Sequence, residues 1–120
     1  MTVYKSPYCG CCEKWIDIMK KEGFKIKTID TNEVNDIKQK AGLQAGQTSC
    51  HTAFVDGYIV EGHVNYSAIK KMLQEKPDIL GISVPGMPIG SPGMEQDNIK
   101  QAYNIIYINK DGTEGVYESH

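Results

Sequence analysis

"TVYKSPYCGCCEKWIDIMKKEGFKIKTID", residues 2–30, passes from a strand pattern to a helix pattern and back. TVYKS is a short β-like run, and Pro7 disfavours further ladder pairing. CCEKWIDIMKKEG places Trp15, Ile16, Ile18 and Met19 on an apolar side, and Gly23 is a helix stop. FKIKTID then alternates Phe24, Ile26 and Thr28 with lysines, the period of a half-buried strand. Three cysteines, Cys9, Cys11 and Cys12, fall at the junction of the first strand with the helix.

Working outward, Thr31 or Asn32 can cap a second helix, NEVNDIKQKAG, whose Val34, Ile37 and Ala41 recur at helical spacing. TAFV and YIVEG flank Asp56-Gly57, a strong hairpin signal. NYSAIKKMLQEK follows as a third helix with Ile69, Met72 and Leu73 on one face. Alternating elements argue for α/β layers, and the order β-α-β-α-β-β-α is that of the thioredoxin fold. The predicted architecture is therefore α/β and thioredoxin-like, a central mixed sheet flanked by helices in a single domain spanning residues 1–120. Residues 77–101 hold four of the five prolines and four of the twelve glycines, and read as an irregular covering loop. Its Ile82, Val84, Met87, Ile89 and Met94 predict that it packs on the domain. Residues 102–118 read as a C-terminal hairpin turning at NKDG.

A chain of 120 residues buries roughly two-thirds of its unfolded surface, so it does not need disulfide staples. The four cysteines then call for a chemical reason. Net charge is −2, and no basic excess points to nucleic acid. No apolar run reaches the 18 residues of a membrane span, so no membrane insertion is expected. The opening MTVYKSP lacks a signal-peptide pattern, which leaves a cytoplasmic protein or one freed of its leader.

The first turn of a helix offers unpaired N–H groups and a positive dipole end, which stabilise thiolates. Cys9 and Cys12, at i and i+3, can face each other as a redox C-x-x-C pair. Cys11 adjoins Cys12, projects elsewhere, and supplies an additional sulfur. In a thioredoxin-like fold the loop entering the third strand lies against this turn and normally carries a cis-proline. Here that loop reads TSCHT, with Cys50-His51 in place of proline. Soft thiolate and thioether donors select Cu(I), zinc or iron–sulfur. The crowding of C-x-C-C suits thiolates that bridge two Cu(I) ions, with zinc as the alternative metal. Met87 and Met94 are further soft donors on the loop that would cover the site.

Blander readings apply to the same residues. The cysteines can be buried structural thiols or a plain dithiol redox site, with Cys9 as nucleophile and Cys12 as resolving thiol. His51 is either a ligand or gate, or an ordinary loop histidine. His63, just after a strand, reads as structural rather than functional. Trp15 and Tyr8 read as packing residues, and Glu13 as a first-turn acid that favours the helix dipole.

VYKSPYCGCCEKW, SCHTAFVDGYIVEGHV and VPGMPIGSPGME together resemble the thioredoxin-like copper-resistance proteins of the CopG type, over Val3 to about Tyr117. The resemblance implies several copper ions held by Cys9, Cys11, Cys12 and Cys50, with His51, Met87 and Met94 as additional donors. It also implies a periplasmic location, a role in interchanging Cu(I) and Cu(II), and copper exporters or chaperones as partners. A copper-linked or thiol–disulfide oxidoreductase using Cys9 and Cys12 stays open beside simple copper binding and a zinc-binding structural module. The start, VYKSPYCGCC, also resembles arsenate-reductase-like and Spx-like proteins. Arsenate reductases of that type hold the oxyanion with arginines, whose planar fork suits it. All 13 basic residues here are lysine, so that chemistry is set aside.

Overall fold

In a computed structural model, residues 1–44, 46–86 and 102–120 are described. Their elements are β1 (Thr2–Lys5), α1 (Gly10–Lys21), β2 (Lys27–Asp30), α2 (Val34–Ala41), β3 (His51–Val55), β4 (Tyr58–Glu61), α3 (Tyr66–Glu75), β5 (Gly81–Ser83), β6 (Asn104–Ile108) and β7 (Glu114–Ser119). The strands form one mixed sheet in the order β2-β1-β3-β4-β5-β6-β7. β1 runs parallel to β2 and β4 parallel to β5; the other neighbours are antiparallel. The thioredoxin-like α/β reading holds, and its four strands make up one side of the sheet.

Strand alternation assigns each residue to a face. Val3, Ala53, Val60 and Ile82 stand in register across four strands and are wholly buried. They meet Trp15, Ile16 and Met19 of α1 and Ala68, Ile69 and Met72 of α3 in one core. Burying each of the larger aliphatic side chains contributes about 1.5–3 kcal/mol. A second, smaller core on Leu43, Ile59, Ile106 and Ile108 has Ala41 of α2 packed against it. His51 has the parity of Ala53 and so points toward α1, whereas Thr52 points toward α2. This parity positions the site.

Three expectations need correction. Within the stretch read as irregular, Gly81–Ser83 is a fully buried strand. It was hidden because a three-residue strand carries almost no periodicity. Gly81 is needed there, since a Cβ would lie 2.0 Å from the Ile59 carbonyl oxygen. The C-terminal hairpin is accordingly not an appendage but continues the sheet from β5. The cap of α2 is Glu33, and the Thr31 hydroxyl accepts the Glu33 N–H (3.1 Å) just outside the helix. The helix buries Lys38 rather than only the expected apolar positions; Ile37 and Ala41 are half-buried. The rest of the covering loop, with Met87 and Met94, lies outside the described residues. Among the described residues, no helix is long and apolar enough to cross a membrane.

Candidate metal centre

Cys9 is the N-cap of α1, with an extended backbone and no side-chain cap. Its N–H donates to the Ser6 carbonyl (3.2 Å) and tightens the turn after β1. Glu13 in the first turn of α1 and Asp30 at the end of β2 both pair with the Lys5 ammonium at 2.7 Å. Burial alone would lower the Lys5 pKa, but these two carboxylates outweigh it and raise it. The start of the helix is thereby tied to the sheet.

Cys9 and Cys12 form a disulfide, with Cα atoms 5.4 Å apart. Cys11 lies outside it, its Sγ 3.5 Å from Cys9 Sγ. Cys50, directly before β3, completes the group: the four sulfurs all lie within 4.8 Å of one another. Cys12 is buried and the other three are half-buried. The expected convergence of CGCC with Cys50 is thus present in the geometry, and so is the C-x-x-C pairing of Cys9 with Cys12.

A second group overlaps the first at Cys50. Its Sγ is 3.3 Å from His51 Nδ1 and 3.0 Å from His63 Nε2. The ligand atoms of Cys50, His51 and His63 also fall within 4.8 Å. The His51 ring packs on Trp15 (centroids 4.5 Å) and edge-on to His63 (5.2 Å). Trp15 in turn donates its indole N–H to the Val64 carbonyl at 2.8 Å, fastening α1 to the segment that carries His63. His63, read from the sequence as structural, thus stands beside Cys50 in the second group. A signal existed: counting outward from the Asp56-Gly57 turn pairs Val55 with Tyr58 and Thr52 with Glu61. Two steps further, the same count sets Cys50 opposite His63.

Burial, then the neighbouring Cys11, pushes the Cys50 thiol up to about 12. Burial, then His63 and Lys38, lowers His51 to about 3, so its imidazole is neutral at physiological pH. Neutral imidazole is the form that ligates metal.

Behind this group sits a buried ionic network. Glu61 accepts hydrogen bonds from the Ser49 N–H (2.8 Å) and the Thr52 hydroxyl (2.6 Å), and pairs with Lys38. Lys38 also donates to Thr52 Oγ1 at 2.9 Å. Glu61 and Thr52 are entirely buried. A buried carboxylate is tolerable only when paired and hydrogen-bonded, and here the Ser49 bond also holds the loop that ends in Cys50. Gly62 has φ +77°, and a Cβ there would meet Ser49 Cβ and Oγ at 2.6 Å and the Val84 oxygen at 2.7 Å. Its N–H donates to the His51 carbonyl (3.0 Å). Consecutive residues Glu61, Gly62 and His63 thus clamp, accommodate and face the Cys50 loop. Sequence reading passed over Lys38 and Glu61 because each looked like an ordinary surface charge.

The fold and this cluster define a thioredoxin-like protein with a thiol–imidazole centre at the first helix. Residues 47–94 match a family described as "Protein of unknown function, DUF411". Two solved structures of a copper resistance protein copG, Form 2 and Form 1, are each 37% identical to the chain. The alignments cover 99% of this chain and 95% and 94% of those, with TM-scores of 0.94 and 0.93. No curated protein matches. The chain belongs to the CopG-type copper-resistance family.

Proposed function

We propose that this protein serves copper resistance by binding Cu(I) through Cys9, Cys11, Cys12 and Cys50, several ions being bridged by shared thiolates. The observation that carries this reading is the packing of four sulfurs within 4.8 Å. Such a soft, crowded donor set suits Cu(I) and its low coordination numbers. Met87 and Met94 would add thioether donors, and His51 an imidazole. The name of the structural relatives supports copper as the metal. The periplasm is the proposed location, the whole chain acting as one metal-binding domain.

The Cys9–Cys12 disulfide favours a second, compatible reading, a redox role. Two Cu(II) ions each accept one electron. The electron pair comes from the Cys9 and Cys12 thiolates, whose sulfurs join as the disulfide, so two Cu(I) form per disulfide. Cys11 and Cys50 stay reduced and keep sulfur available for the product ion. A thiol reductant must then reopen the disulfide by exchange.

The test is anaerobic addition of Cu(II) to fully reduced protein, with Cu(I) and remaining thiols counted. Two thiols lost for every two Cu(I) formed is the expected result. Copper reduction with no change in thiol count would refute the redox step, and failure to retain Cu(I) against a competing chelator would refute the binding itself.

A further inference from the structure

Formation of the Cys9–Cys12 disulfide removes two of the four sulfurs as ligands. The Cys50 loop has its own polar supports on β4 and α2, while the two histidines pack on each other and, through His51 and Val64, on Trp15 of α1. Glu61 and Lys38 fix the Cys50 loop, Gly62 brings it close, and none of these touches the disulfide. The polar supports of the Cys50 loop are therefore independent of the disulfide.

The hydrogen-bond pattern separates the two histidines. Among the described residues, His51 Nε2 is buried and has no hydrogen-bond partner. An N–H there would be a buried donor without an acceptor, which costs free energy. The His51 proton therefore sits on Nδ1, where it donates to the Cys50 sulfur at 3.3 Å. The Cys50 S–H is then placed to donate to His63 Nε2 at 3.0 Å, with Cys11 as its other hydrogen-bonding neighbour. His63 presents a lone pair toward the thiol proton, and His51 presents a proton toward the sulfur. A cation that displaces the thiol proton meets the Cys50 thiolate and His63 Nε2 together. His51 then stabilises the thiolate by hydrogen bonding, as outer partners of metal ligands do.

An approach to Cys50 exists. A polar cleft of about 230 Å³, lined by Ser6, Asn32, Asn35, Lys38, Ser49 and Cys50, reaches the Cys50 side. Among the described residues that line it are neither Cys9, Cys11 and Cys12 nor the two histidines. Mixed imidazole–thiolate sets suit borderline divalent ions, Cu(II) and Zn(II) among them, better than an all-sulfur basin does.

We propose that Cys50 and His63 form a locus for a borderline divalent cation that shares Cys50 with the sulfur basin, with His51 as its positioning residue, and that this locus persists when Cys9 and Cys12 are disulfide-bonded. The locus rests on the copper reading for the identity of the physiological ion. Its existence does not, since it can be probed with another metal.

The experiment uses the full chain with its disulfide intact, titrated with Co(II) under non-reducing conditions. One Co(II) per chain with a thiolate-to-cobalt charge-transfer band is expected, and no such band overturns the proposal. The band should survive the double substitution Cys9→Ser/Cys12→Ser and vanish in Cys50→Ser; the opposite pattern places cobalt on the CGCC side and overturns it. His63→Gln should weaken binding more than about 100-fold, and His51→Gln about 10- to 100-fold, the range for partners behind a ligand. An equal or larger loss in His51→Gln reverses the assignment. Because both histidines are buried and either variant can misfold, proton NMR of the Co(II)-loaded wild type gives a second readout. One solvent-exchangeable, hyperfine-shifted imidazole N–H is expected; none, or two of equal shift, contradicts the proposal. Cu(I) retention by the reduced protein is measured separately. Its loss with Co(II) binding intact removes only the copper reading, and the converse removes only this locus.

Discussion

Cys9, Cys11 and Cys12 occupy the open end of a helix, where the backbone is a turn and Tyr8 beside them is almost fully exposed. Cys50 and the two histidines occupy the exit of a hairpin, where the buried Glu61 carboxylate accepts the Ser49 N–H of the Cys50 loop. The first region can change its covalent state with little cost to the fold, because its disulfide spans only one helical turn. The second cannot rearrange without disturbing Glu61, Thr52 and Lys38. One side of the centre is chemically adjustable and the other is structurally fixed, and a metal held between them would be sensitive to the state of the first alone.

The largest effect should follow from breaking the fixed side. Lys38→Met or Glu61→Gln leaves one member of the buried pair without its partner. Urea unfolding of the metal-free protein should show a loss of about 3–5 kcal/mol. The exposed pair of Lys110 with Asp78 (2.5 Å) is the control, and Lys110→Ala should leave the midpoint where it is. If Glu61→Gln behaves like the control, the network does not hold the site. Next in size is Gly62→Ala. The added Cβ collides with Ser49 and with backbone at Val84, at a positive φ. A loss of about 1–3 kcal/mol is expected, together with weaker metal binding at Cys50; an unshifted unfolding curve would show that the close approach is not needed.

This contrast also explains what the sequence revealed. CGCC is a local feature, readable from spacing and helix-start chemistry, and the Asp-Gly turn displayed the hairpin. The alternation of TAFV and YIVEG marked strands, but the role of His63 required counting register through the turn to its cross-strand partner. Lys38 and Glu61 stayed hidden for a stronger reason. A charge is buried only where another element supplies its counter-charge, and nothing local to NDIKQK or YIVEG reports that. β5 was missed because its three residues are buried on both faces and show no alternation.

Smaller effects sharpen the comparison further. In the disulfide form the Cys50 thiol, raised to about 12, is protonated across the working pH range. Any ion bound there must displace that proton, so affinity should rise with pH by about tenfold per unit for one proton released. Competition titrations with Co(II) at two pH values measure this, and a flat profile would mean that Cys50 is not a ligand. The smallest change in fold is expected from Cys11→Ser. Its Cys9–Cys12 disulfide should form and reduce as in the wild type, while Cu(I) per chain falls. Unchanged copper content would assign Cys11 no part in the basin.

The most direct measurement is Cu(I) per chain, retained against a competing chelator, in the fully reduced protein and in the same protein with Cys9 and Cys12 disulfide-bonded. More than one Cu(I) per reduced chain is expected, with a fall of at least one when the disulfide forms. The same copper content in both states, or none in the reduced protein, would contradict a sulfur basin opened and closed by its own cysteines.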